Sequence, residues 1–235
     1  MNSDKSVASA IAIIAAAGQG LRVGAGYNKL FLPLKNTTIL EYTLNLFLRH
    51  PRITHTYLVI SPKDRPRISS MLQKNIADLT LLDGGERRQD SVLNALNLVQ
   101  SGNESPEFVL VHDAARPLCT PELINRVLDA CINADAVIPT IPLVDTIRQE
   151  TPRGMRVIDR SKLYATQTPQ GFRCKLLWEV SQKAVLEQWE VSDDASLLEN
   201  AGFSVQRVEG DCNNFKITMP EDHSRACSLI EQKEQ

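Results

Sequence analysis

Stretches of strand-length apolar sequence alternate along this chain with segments in which apolar residues recur every third or fourth position. Residues 11–16, 57–60, 79–82, 108–112 and 136–141 read as buried strands, and residues 38–48, 90–99 and 122–134 have helical spacing. A strand that is apolar on both faces needs cover on both sides. Strand–helix alternation supplies that cover by building a mainly parallel sheet. The expected class is α/β, a mainly parallel sheet flanked by helices. Two helix starts are explicit: Thr120 as a cap with Pro121 at the first helical position, and Ser192 ahead of Asp193 and Asp194. Ligands of such sheets bind at the carboxyl ends of the strands, so the residues after each apolar run are the ones to inspect.

Past Pro142 the pattern changes. Residues 145–160 mix charged and β-branched residues around Thr151-Pro152-Arg153-Gly154, a turn sequence. A hairpin polar on both faces gains little from packing on its own core, so residues 142–162 are expected to project as a β-arm that reaches a second subunit. The chain then returns through residues 175–188, 194–200 and 204–208, and a last helix opens at Pro220-Glu221-Asp222. With no repeat or linker, residues 1–235 read as one domain.

The net charge of −2 gives no general attraction to nucleic acid or to an anionic membrane, so neither is expected as a partner and any phosphate affinity must be local. The five cysteines and four histidines are scattered, without the spacing of a zinc site or a disulfide framework. Small buried thiols in a reducing compartment are the simplest account, and a cytoplasmic location is expected. Residues 7–17, with Ala15 and Ala17 in a small-x-small pattern, also resemble a secretory leader, but cutting there would remove the first strand.

Three clusters follow strand ends. The first, AAAGQGLRVGAGYNK from Ala15 to Lys29, offers small residues for close backbone approach and Arg22 and Lys29 for phosphate charge. A tight turn with two surface cations is the plainer alternative. The dinucleotide fingerprint is excluded by its missing third glycine and ribose acid, and no GxxxxGK[ST] loop is present. The second cluster, Asp83-Gly84-Gly85-Glu86-Arg87-Arg88-Gln89-Asp90-Ser91, lets a flat base approach Gly85, with Ser91 as a donor. Here Asp90 reads as a helix cap, and Arg87 and Arg88 fit a solvated face at least as well as a ligand role. The third is His112-Asp113-Ala114-Ala115-Arg116-Pro117. Asp113 closes a buried strand and is suited to holding Mg²⁺ against phosphates, Arg116 could clasp a second phosphate, and His112 reads as structural. Asp145-Thr146 and Asp159-Arg160 flank the arm, and Lys216 lies in Asn213-Asn214-Phe215-Lys216-Ile217-Thr218.

Taken together, AAAGQGLR, YNK, DGGERRQDSV, VHDAARP, VDT, the Asp159-Arg160 pair, TQTPQGF, SDDAS, NFKIT and PED resemble, in order, the 2-C-methyl-D-erythritol 4-phosphate cytidylyltransferase family of the non-mevalonate isoprenoid pathway. The resemblance implies a Rossmann-like, glycosyltransferase-A-like nucleotidyltransferase fold and a homodimer joined through the arm. It also implies transfer of CMP from CTP to methylerythritol phosphate with a divalent cation. It casts Arg22 and Lys29 as catalytic and Asp113 as the metal ligand. Ala16, Ala17, Gly18, Gly85, Ser91 and Ala114 would bind the nucleotide. Arg160, Lys216, Thr146, Arg116 and Thr168 would position the sugar phosphate. A ribitol 5-phosphate cytidylyltransferase would share most of these motifs, and a non-catalytic nucleotide-binding module is the alternative of another class. Two residues depart from the family pattern: Asn28 where proline is common, which predicts a more loosely held Lys29, and Asn213 where an acid is common beside Lys216.

Overall fold

The computed structural model describes residues 8–18, 28–72, 76–102 and 106–232. In chain order the first half contains β1 (Ala10–Ala16), β2 (Pro33–Leu34), β3 (Thr37–Thr38), α1 (Ile39–Leu48), β4 (Ile53–Ile60), α2 (Arg65–Met71), β5 (Leu79–Asp83), α3 (Arg88–Gln100), β6 (Phe108–Asp113) and α4 (Pro121–Cys131). The second half contains β7 (Ala136–Pro142), β8 (Ile147–Thr151), β9 (Gly154–Ile158), β10 (Tyr164–Thr166), β11 (Gln170–Arg173), α5 (Cys174–Leu186), α6 (Asp194–Asn200), β12 (Val205–Glu209) and α7 (Pro220–Gln232).

Among the described residues, eight strands form one sheet in the order β10-β7-β11-β6-β1-β4-β5, with β12 beside β7. The segment with leader-like composition is the central strand β1, parallel to both β4 and β6. Its side chains alternate strictly. Ala10, Ala12, Ile14 and Ala16 join the core under α1, α2, α4 and α7, while Ile11 and Ile13 join the core under α3, α5 and α6. The same period of two sends Phe108 and Leu110 of β6 to one face and Val109 and Val111 to the other. Each fully buried Ile, Leu or Phe in these layers contributes about 1.5–3 kcal/mol of transfer free energy, which holds the strand ends in register.

Caps fix where the helices begin. Thr38 and Glu41 form a reciprocal capping box on α1, and Thr120 Oγ1 accepts the Leu123 N–H at 3.3 Å behind Pro121. On α6 the cap is Asp193, whose Oδ1 accepts the Ser196 N–H at 3.1 Å, so the helix starts one residue later than Ser192 predicts.

Two strands of the main sheet were not expected from the sequence. β10 and β11 run antiparallel in an otherwise parallel sheet, and β11 is inserted between β6 and β7. β11 reads Gln-Gly-Phe-Arg, too short and too polar to announce itself. Gly171 is needed there because a Cβ would stand 2.5 Å from Cys131 Sγ and 2.7 Å from Val127 Cγ1 of α4.

The arm, β8 and β9, is a separate two-stranded sheet, and Gly154 at its turn has a φ of +105°. Contrary to the expectation, it is not polar on both faces. Met155 and Val157, two residues apart on β9, are 59% and 53% exposed, and Val144 at the arm's base is 78% exposed. Among the described residues, no helix is long and apolar enough to cross a membrane.

Candidate active site

The carboxyl ends of β1, β4, β5 and β6 open on one edge of the sheet, and two adjoining cavities lie there. The first, of about 270 Å³, is walled by residues 15–18, by Lys29 and Leu30, by Gly85 to Arg88 with Ser91, and by Asp113, Ala115 and Lys216. The second, of about 360 Å³, is lined among others by Arg116, Thr166, Thr168, Ser192, Asp193 and Ser196. Arg88, Asp113 and Lys216 line both.

The glycines of the second cluster bring the walls together. A Cβ on Gly84 would stand 2.5 Å from Ala17 Cβ and 2.8 Å from Ser91 Oγ, so only glycine lets the β5 end pack against the β1 end. Ser91 Oγ accepts the Gly85 N–H at 3.0 Å and donates to the Arg87 carbonyl at 3.1 Å. It therefore shapes its own loop as well as lining the cavity.

Asp113 is the electrostatic centre. Its Oδ1 accepts from Arg88 Nε at 3.2 Å, its Oδ2 lies 3.0 Å from Lys216 Nζ, and Arg116 Nε stands 3.7 Å away. Burial pushes this carboxyl up, but Arg88, Lys216 and Arg116 outweigh burial and hold it well below the usual carboxylate range. The solvated-face reading of the two arginines divides. Arg87 is exposed and pairs with Asp90 at 2.8 Å, whereas Arg88 is drawn inward and also binds Asp194 Oδ2 at 2.5 Å. Asp194 is 1% exposed, and burial raises its carboxyl although Arg88 opposes the shift. Neither Arg88 nor Asp194 was marked for the site by the sequence. The available signal was the doubled acid: Asp193 caps α6, which leaves Asp194 to face inward and to need a cation.

Behind Asp113 lies a buried polar brace. Thr168 Oγ1 accepts the Asp113 N–H at 3.0 Å and donates to His112 Nδ1 at 3.1 Å, so the ring's Nε2–H donates to the Arg116 carbonyl at 3.1 Å. Burial pushes the His112 pKa down to about 4, so the ring is neutral, as a structural histidine should be. Arg116 is mostly enclosed and donates to the Asn214 carbonyl at 2.8 Å. Lys29, which lines the first cavity, donates to the Ile217 carbonyl at 2.6 Å.

Ala16, Ala17, Gly18, Gly85, Ser91, Lys29, Asp113 and Lys216 thus meet in the first cavity, and Arg116 and Thr168 line the second. Ala114 does not reach the cavity. It is fully buried, its N–H donates to the Ala15 carbonyl and its carbonyl accepts from Thr43 Oγ1, and Ala115 lines the wall instead. Thr146 and Arg160 are exposed at the arm and line neither cavity, the Arg160 guanidinium donating to the Val144 carbonyl. Arg22 lies outside the described residues.

The family model for 2-C-methyl-D-erythritol 4-phosphate cytidylyltransferase matches residues 10–232. The chain belongs to that family. A cytidylyltransferase of this name from Synechococcus sp. (strain JA-3-3Ab) is 40% identical over 230 residues, 94% of this chain and 97% of its own. One from Geobacillus kaustophilus (strain HTA426) is 40% identical over 216 residues, covering 90% and 92%. Among solved structures, the family member from Thermus thermophilus superposes with a TM-score of 0.78 at 32% identity, over 95% of this chain and 99% of that one. The 4-diphosphocytidyl-2C-methyl-D-erythritol synthase from Anaerococcus prevotii DSM 20548 gives 0.84 at 30% identity, over 98% and 100%. The mixed sheet and its arm are therefore this cytidylyltransferase family's fold, and the expectation of an α/β nucleotidyltransferase holds.

Proposed function

We propose that this protein transfers CMP from CTP to 2-C-methyl-D-erythritol 4-phosphate and releases pyrophosphate, a step of isoprenoid precursor synthesis. The observation that carries the reading is the pair of adjoining cavities sharing Arg88, Asp113 and Lys216, one walled by glycine-bearing strand ends and the other by hydroxyls and Arg116. CTP would occupy the first and the acceptor phosphate the second. A phosphate oxygen of the acceptor attacks the α-phosphorus in line. The bond from that phosphorus to the bridging oxygen breaks, and its electron pair leaves with pyrophosphate. A phosphate monoester at neutral pH is already nucleophilic, so the obstacle is repulsion between polyanions and charge growing on the reacting phosphoryl group. Fixed cations answer both. Lys29, with Arg22, would bear the growing charge, and Lys216 and Arg116 would hold the acceptor phosphate beside it.

Asp113 fits a divalent cation. It is a deprotonated carboxylate open to both cavities, and hard cations of this kind take one or two carboxylates and draw their other ligands from phosphates and water. No group of three metal-ligating side chains occurs among the described residues. When bound with the nucleotide, the ion would neutralise phosphate charge, while Thr168 and His112 keep the Asp113 backbone in place.

Thr146 and Arg160 would act across a homodimer. The exposed Val144, Met155 and Val157 give the arm an apolar surface suited to a second copy, and such a copy would bring its Arg160 to the acceptor cavity of its neighbour. The five unpaired cysteines favour a cytoplasmic location. Pyrophosphate release, measured with each ribonucleoside triphosphate against methylerythritol phosphate and ribitol 5-phosphate, with and without Mg²⁺, tests the reading. No turnover with any pair would sink it, and turnover with ribitol 5-phosphate alone would reassign the acceptor.

A further inference from the structure

Asn28 occupies the position where proline was the expected residue and a looser lysine the expected result. Its φ of −60° is the value a proline ring imposes, so nothing is lost in backbone shape. Its side chain adds something a ring cannot. The residue is 7% exposed, and the carboxamide uses both donors and its acceptor. One N–H donates to the Gly18 carbonyl at 3.1 Å, the other donates to Asp64 Oδ2 at 2.7 Å, and Oδ1 accepts the Leu30 N–H at 3.1 Å. The last of these caps the short 3₁₀ turn, Lys29–Phe31, that carries the lysine.

The connection continues beyond Asp64. The next residue, Arg65, grips Asp83 Oδ1 through Nε at 3.0 Å and through its terminal nitrogen at 2.9 Å, immediately ahead of Gly84 and Gly85. A line of polar contacts therefore runs from Gly18 on one wall of the first cavity, through Asn28 and the 64–65 turn, to Asp83 at the foot of the opposite wall. Leu30 is 4% exposed, so the capped turn is also anchored in the core. Its lysine is thereby held at the reach that brings Nζ to the Ile217 carbonyl.

We infer that Asn28 and Asp64 are a pair of positioning residues that clasp the two walls and set where Lys29 stands. The inference rests on the part given to Lys29 in the proposed reaction, and its test separates the two. No other side chain of this size offers two donors and an acceptor in one plane. Asn28→Ala deletes all three bonds. Asn28→Asp keeps the acceptor for Leu30 but sets a carboxylate against Asp64, and Asp64→Asn added to it restores a donor between the two positions in the reverse direction.

The clasp is read without turnover by the rate at which an amine-acylating reagent modifies Lys29, followed by mass spectrometry with Lys175 and Lys183 as internal standards. The rate is expected to rise severalfold in Asn28→Ala and in Asn28→Asp, and to fall back toward the wild-type rate in the Asn28→Asp/Asp64→Asn protein. In parallel, kcat is expected to drop about tenfold in Asn28→Ala while KM for CTP stays within about twofold, because nucleotide contacts remain and the charge at the phosphoryl is displaced. An unchanged Lys29 rate in Asn28→Ala overturns the clasp, as does a double variant no better than Asn28→Asp alone. A raised rate with unchanged kcat supports the clasp and overturns the part given to Lys29 in the reaction.

Discussion

Replacing Arg88 with methionine keeps much of its volume and removes its charge from between two buried acids. Asp113 retains Lys216 and Arg116, but Asp194 loses the cation 2.5 Å from its Oδ2 and has no other ion pair among the described residues. At that separation the attraction is about 7 kcal/mol at an effective dielectric near 20, and removing one partner of a buried pair typically costs about 3–5 kcal/mol. The Asp194 side chain is 1% exposed but that of Arg88 is 29%, so solvent screens part of this attraction and the lower part of the range, about 3 kcal/mol, is the expected loss at pH 7.5. Acid should return part of it. With Arg88 gone, burial and the nearby charges of Asp113 and Asp193 act on Asp194 without that opposing cation and carry its folded pKa further above the unfolded value. Stability linked to such a group is present below the unfolded pKa and is lost as pH rises through the folded pKa. Urea unfolding of Arg88→Met should therefore show a deficit that shrinks between pH 7.5 and 5.5, with an unchanged denaturant slope. Asp194→Asn added to Arg88→Met should recover most of the deficit at pH 7.5. A deficit below about 1 kcal/mol, or one that ignores both pH and Asp194→Asn, would refute the reasoning.

Lys29→Ala should lower kcat about a hundredfold, close to 3 kcal/mol of barrier, while nucleotide binding by calorimetry survives; parallel losses in both would make Lys29 a binding group only. Arg160→Ala should mainly raise KM for the sugar phosphate. Mixing Arg160→Ala chains with Lys216→Ala chains should restore activity in the mixed dimers, since one of their two sites is then intact, and no recovery on mixing argues that the arm serves its own subunit. His112, neutral with a folded pKa of about 4 against 6.5 unfolded, contributes stability that is full above 6.5 and disappears as pH falls to 4. About 3 kcal/mol is at stake, roughly 2 of it gone by pH 5. His112→Asn should flatten that part of the guanidinium-derived profile, and an unaltered slope would contradict it.

How far the sequence could be read depended on the range of the interaction. Apolar strands such as Phe108–Asp113 and the local cap Thr120 are written in neighbouring residues, and they stand where expected. β11 owes its place to partners on β6 and β7 and to the room Gly171 makes for α4, none of which is local. The site divides in the same way. Asp113 and Lys29 were legible as charged residues after apolar runs or small-residue turns. Arg88 was not, because its reason for turning inward, Asp194, lies 106 residues further along the chain. Ala114 and Ala115 both follow the β6 end and pack in the same core, and the small difference in exposure that puts Ala115 rather than Ala114 on the cavity wall leaves no mark in the sequence.

Lys29 and Arg116 rest on the carbonyls of Ile217 and Asn214, and Lys216 rests on Asp113, so each of these cations already has an oxygen before any ligand arrives. Under the proposed roles, an incoming phosphate, whether the triphosphate at Lys29 or the acceptor at Lys216 and Arg116, would not meet bare charge. It competes with oxygens belonging to the protein, and each contact yields only the difference between two hydrogen bonds. Oxygens in the ground state compete on nearly even terms, whereas the charge gathering on a phosphoryl group in mid-transfer competes far better. Under those roles preference would be reserved for the moment of reaction, and a product could depart because the cation that held it has a place to return to.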